Sequence, residues 1–203
     1  MAAILTNLRT TVIVSMVLAL IYLLAYVVSG AIDPGPALWQ AIARWTHVVS
    51  GIMWVGLLWY FNFVQIPNMP NIPDEQKPAI GKVIAPAALF WFRWGALFTV
   101  ITGLAVAGLR GYSAEVLTLG LVAGDAYTPQ YSFIGIGMWL AIIMAINVWF
   151  VIWPNQKIAL GIVEAPDDAK PKAARMAMLF SRTNTLLSFP MLIAMAMAQT
   201  VFG

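Results

Sequence analysis

Five long apolar runs dominate what this chain can fold into: Thr11–Ser29, Leu38–Ile66, Pro86–Leu109, Phe133–Trp153 and Leu186–Phe202. A helix rising about 1.5 Å per residue needs roughly twenty such residues to cross the roughly 30 Å of bilayer hydrocarbon. Composition agrees, with 62% of residues hydrophobic and 9% charged where an ordinary soluble domain carries about 25% charge. The expectation is an all-α integral membrane protein, a bundle of about five transmembrane helices forming one domain over residues 1–203. The first run lacks a small-residue cleavage pattern and is expected to be a helix of the mature protein.

The connections are legible from their breakers. DPGP at Asp33–Pro36 predicts a tight turn, and PNMPNIPDEQKP at Pro67–Pro78 predicts a proline-punctuated loop that cannot remain helical. Gly111–Gln130 predicts a longer connection with a short surface helix. Pro154–Arg182 is the most polar stretch, with an interfacial helix expected around Ala169–Phe180 before the last span. The second run is long enough to tilt or to extend past the membrane.

Charge sets the expected orientation. With five spans and an inside N-terminus, nine of the eleven Lys and Arg residues fall on the inner side and only Arg44 and Arg110 on the outer. The positive-inside bias therefore places the N-terminus inside and the C-terminus outside. The net charge of +3 is accounted for by these loops, and no nucleic-acid footprint is present. The absence of cysteine excludes disulfides, thiolate metal sites, iron–sulfur clusters and covalently attached c-type haem.

One stretch stands out against this apolar background. RWTHVVSGIMWVG, Arg44 to Gly56, places an arginine and the chain's single histidine inside the second run. An ionisable residue in a span is costly to leave facing lipid, so it faces the bundle interior and marks a functional site. Helical spacing puts Arg44, His47, Gly51 and Trp54 on roughly one face. Those residue types suit a buried haem b: an imidazole for the iron, a small residue for clearance, an aromatic wall and a cation for a propionate. The same residues also suit a plain interhelical hydrogen bond from His47, with Arg44 snorkelling to headgroups. For a copper or zinc centre, one histidine and no cysteine leave too few ligands unless carboxylates or other subunits contribute. Met53, Met138 and Met144 are candidates for a second axial position, alongside five-coordinate haem and haem sharing across a homodimer.

Polar residues also gather towards the inner side: Asn62, Gln65, Arg93, Asn147, Asn155, Arg182 and Asn184. Amides in spans tie helices together at about 1 kcal/mol each. The alternative use for this set is a pocket for a polar substrate or a quinone head group.

Four ordered stretches carry a family resemblance: RWTHVVSGIMWVGLLWYFNFVQIP (44–67), WFRWGALFTVITGLAV (91–106), NVWFVIWPNQKIALG (147–161) and SRTNTLLSFPMLIAM (181–195). Together they resemble the N-terminal membrane domain of bacterial membrane-bound urate oxidases fused to cytochrome c. The R-W-x-H-x-x-x-G-x-x-W-x-G core is also similar to the histidine span of membrane protoporphyrinogen oxidases, which bind haem b. The resemblance implies a multi-pass protein of the bacterial inner membrane with His47 as a haem-iron ligand. It further implies electron transfer from a small substrate such as urate. Lacking cysteine for a c-type haem, the chain is expected to hand electrons to a separate periplasmic cytochrome c or a quinone. Two other classes stay open: a non-catalytic haem or accessory subunit of a larger membrane complex or homo-oligomer, and a cofactor-free structural bundle.

Overall fold

The computed structural model describes residues 2–121 and 127–202; residues 122–126 of the expected connection after Gly111 lie outside the described residues. All regular structure among the described residues is helical. Five helices are long and apolar enough to cross a membrane: α1 (Leu8–Val28), α2 (Pro36–Asn71), α3 (Lys77–Arg110), α5 (Pro129–Ala159) and α6 (Ala169–Val201). Between α3 and α5 lies the short helix α4 (Ser113–Leu117), the expected surface helix.

The chain divides into two compact units, residues 1–42 and 43–203. In the first, Asn7 caps α1 by accepting the Thr10 N–H at 3.2 Å, and Gly30, at φ +76°, turns the chain after the helix ends. No residue of α1 is buried. Asp33 closes the expected turn by accepting the Gly35 N–H at 3.2 Å.

The second unit holds the core. Trp54 and Leu58 of α2, Phe92 and Ala96 of α3, Met144 and Val148 of α5 and Met191 of α6 pack together with relative exposures of 4% or less. Glycine lets α2 and α3 meet at backbone distance: a Cβ on Gly95 would stand 3.2 Å from the Trp54 backbone nitrogen. Amides then tie the remaining helices. Asn62 donates to Ser181 Oγ at 2.7 Å, Asn147 donates to Asn184 at 2.9 Å, and Asn184 donates to the Met144 carbonyl at 2.9 Å.

Two expectations about breaks need correction. The helix α2 does not stop before Pro67, and helix resumes at Lys77, so only 72–76 separate α2 from α3. Prolines are tolerated because three helices widen to a π turn just before them: Tyr60–Gln65 before Pro67, Ile80–Ile84 before Pro86, and Asn147–Ile152 before Pro154. A proline removes a donor and crowds the carbonyl four residues back, and the wider i→i+5 turn accommodates both effects. The second correction concerns α6, which runs unbroken from Ala169 to Val201 with Pro190 inside it. Its polar middle is no boundary, since Ser181, Asn184 and Ser188 are buried and hydrogen-bonded to neighbouring helices.

Both hydrogen bonds of Asn184 cross to α5, accepting from Asn147 and donating to the Met144 carbonyl, so its loss has a defined cost. Asn184→Ala should destabilise the protein by about 1–2 kcal/mol, read as a lower unfolding midpoint in detergent. Asn155→Ala should leave the midpoint nearly unchanged, because among the described residues Asn155 bonds the Val151 carbonyl of its own helix and no other helix.

Candidate functional site

At the end of the second unit opposite the lysine-rich turns, α2, α3, α5 and α6 leave a cavity of about 600 Å³. That volume falls in the roughly 300–1,000 Å³ range of small-molecule and cofactor sites. Its wall is apolar apart from Arg44, His47, Thr99, Tyr112 and Gln199. Tyr112 reaches it because α3 ends at Gly111, whose left-handed φ of +75° lets the Tyr112 N–H turn back to the Ala107 carbonyl at 3.2 Å.

His47 is held from one side. Its Nδ1 lies 2.9 Å from the Thr99 carbonyl oxygen, so the ring proton sits on Nδ1 and donates to that carbonyl. In the neutral ring this leaves Nε2 with its lone pair, and it has no hydrogen-bond partner among the described residues. The Thr102 hydroxyl stands 3.4 Å from Nδ1, but it donates to the Phe98 carbonyl at 2.5 Å and so adds little to the imidazole. The ring packs against Gly103, where a Cβ would come within 2.9 Å of Cε1.

Arg44 lines the same cavity and donates from Nη1 to Gln199 Oε1 at 2.8 Å. Its Nε is buried without a partner, leaving a donor for an incoming oxygen. Three methionines face the cavity: Met138 of α5, and Met191 and Met195 of α6. Of the methionines singled out from sequence, Met138 is therefore on the wall, Met144 is fully buried in the core and Met53 is exposed.

The remaining expected pocket residues divide. Gly51 lines the cavity, where a Cβ would meet only the Thr99 methyl at 3.9 Å, and the imidazole itself packs against a different glycine, Gly103. Trp54 is fully buried against Gly95 and does not line the cavity. The tryptophan on the wall is Trp59, whose indole N–H donates to Ser188 at 3.1 Å. Gly103 was missed by reading the second run alone. The signal lay in the third run, where Gly95, Thr99 and Gly103 recur every four residues on one face of α3.

The polar set at the other end is largely committed to the helices themselves. Asn62, Asn147 and Asn184 are engaged between helices, Asn155 bonds its own helix and Arg182 is exposed. Unpartnered atoms remain on Asn62 Oδ1, Gln65 Oε1 and on Nε and Nη1 of Arg93. Among the described residues no group of three His, Asp or Glu side chains is placed to hold a metal ion.

The residues around the cavity fit a haem. An imidazole with a free Nε2, an orphaned guanidinium N–H, an apolar wall and a glycine floor match an iron ligand, a propionate partner and a porphyrin face. Residues 111–200 match the family described as urate oxidase N-terminal. That match takes in the 147–161 and 181–195 stretches and the α5 and α6 walls of the cavity. His47 and the stretches at 44–67 and 91–106 lie before it. No curated protein and no solved structure matches the chain.

Gly103 and Gly51 separate the two glycine roles. Gly103→Leu should cost about 1–3 kcal/mol by driving a side chain into the imidazole, whereas Gly51→Ala should stay within about 0.5 kcal/mol. Thermal unfolding of both variants in the same detergent checks the contrast.

Proposed function

We propose that the protein is a haem-b-type redox protein of the bacterial inner membrane, related to the urate oxidase membrane domain. It takes electrons from a small substrate such as urate and passes them to a separate cytochrome c or quinone. The lysine-rich end faces the cytoplasm, by the charge bias already described. One observation carries the reading: His47 stands on a cofactor-sized apolar cavity with Nδ1 committed to the Thr99 carbonyl and Nε2 free.

Each residue has a defined task in this reading. His47 Nε2 would hold the iron, and the Thr99 carbonyl accepting from Nδ1–H fixes the ring and raises its basicity. Arg44 would pair with a propionate through its unpartnered Nε, while Gln199 holds the guanidinium through Nη1. Met138, Met191 and Met195 line the same cavity and would be the thioethers available to the iron. The apolar lining excludes water, which favours a stable redox environment. When bound, the haem supplies a one-electron couple between ferric and ferrous iron.

The engagement of Asn62, Asn147 and Asn184 in interhelical bonds favours a second reading. There the protein is a haem relay within a larger membrane complex, and the substrate is oxidised by another subunit.

Optical spectra test both. Purified protein should show a Soret band, with α and β bands that sharpen on adding dithionite, and His47→Ala should abolish them. Arg44→Gln should retain the bands but weaken haem retention about tenfold or more, the equivalent of one charge-assisted hydrogen bond. Anaerobic urate should reduce the haem if the protein is the oxidase and leave it ferric if it is the relay. A folded, colourless preparation that takes up no added haem would refute both.

A further inference from the structure

The lysine-rich end carries a second arrangement that the haem reading does not use. The Arg93 guanidinium of α3 lies over the Trp153 indole of α5, with Cζ 3.4 Å from the ring centroid, and the Lys157 ammonium lies 5.8 Å from the same ring. Trp149, one turn earlier on α5, donates its indole N–H to the Arg93 carbonyl at 3.2 Å and has the guanidinium 6.0 Å from its own ring. Two cations thus share one indole.

Neither has an acid. The three ion pairs among the described residues are Lys77–Asp74, Lys170–Asp167 and Lys172–Asp168. Arg93 Nε and Nη1 are buried with no hydrogen-bond partner among the described residues. An indole face offsets part of the cost of such a cation, but buried N–H donors without acceptors remain expensive, and neighbouring like charges repel. An anion that accepts from Arg93 and faces Lys157 removes both penalties.

Position identifies the anion. Arg93 belongs to the apolar run Pro86–Leu109, and its side chain reaches an indole at the end of the run Phe133–Trp153. Tryptophans at the ends of spans sit at headgroup level, and basic pockets between helices bind lipid phosphates there. A guanidinium matches phosphate oxygens by a two-point fork. We propose that Arg93, Lys157 and Trp153 form a binding site for the phosphate of an anionic lipid headgroup. The site is independent of the haem cavity and requires only that the spans lie in a bilayer.

Native mass spectrometry of the full chain, released from bilayers of equal phosphatidylglycerol and phosphatidylcholine, tests it. Wild-type protein should retain phosphatidylglycerol preferentially. Arg93→Gln with Lys157→Gln should reduce that preference roughly thirtyfold, and Lys157→Gln alone, at a half-buried position that leaves the helix packing intact, about fivefold. Arg93→Lys should keep part of the preference, because charge survives while the fork is lost. Equal retention of the two lipids, or a preference untouched by Lys157→Gln, would overturn the site. So would inorganic phosphate binding to protein in pure phosphatidylcholine with the same residue dependence while phosphatidylglycerol shows none, since that would assign a soluble anion.

Discussion

The close approach of α2 and α3 is the contact on which the rest of the second unit depends. Gly95 admits the Trp54 backbone so closely that a Cβ would stand 3.2 Å from its nitrogen, and two turns further along Gly103 admits the His47 ring. Between them the Thr99 carbonyl accepts the imidazole proton, although that carbonyl sits in a helix and already has a place in its ladder. In a bilayer, small residues at a helix interface let dispersion contacts and weak hydrogen bonds act at short range. One glycine-lined face therefore joins the two helices, orients the only histidine and sets its tautomer.

The consequences differ at the two ends. Towards the lysine-rich turns the bundle is filled by Trp54, Leu58, Phe92 and Met144 and cross-tied by asparagines. Towards His47 the wall opposite is built from flexible methionines and small residues, and a cavity remains. The π turns belong to the same division: all three precede prolines near the lysine-rich turns. They re-aim Asn62 and Asn147 by an extra residue per turn, and these are the side chains that make the interhelical bonds. Rigid packing at one end and a space at the other is the arrangement expected of a scaffold that positions a cofactor.

Much of this was legible in the sequence, for identifiable reasons. Span number follows from run length, because the hydrocarbon thickness fixes the length of an apolar helix, and the singular position of His47 follows from the cost of an ionisable side chain there. Helix ends were less legible. Pro67 and the polar stretch Ser181–Asn184 read as breaks, yet a π turn absorbs the first and buried partners absorb the second. Pocket composition was half legible: face periodicity within α2 places Arg44, His47 and Gly51 on the cavity, but it cannot report that Trp54 meets α3 there. Gly103, Gln199 and Met195 belong to other helices, and only tertiary packing brings them to His47.

The single histidine also makes the central claim directly measurable. Labelling the protein with ¹⁵N-histidine marks one side chain, His47. Pulsed electron paramagnetic resonance on the ferric, haem-loaded protein should show one strongly coupled ¹⁵N, from Nε2 on the iron, and one weakly coupled ¹⁵N, from the remote Nδ1 that bonds Thr99. Haem-loaded protein whose iron shows porphyrin nitrogen couplings and no ¹⁵N coupling would contradict the account.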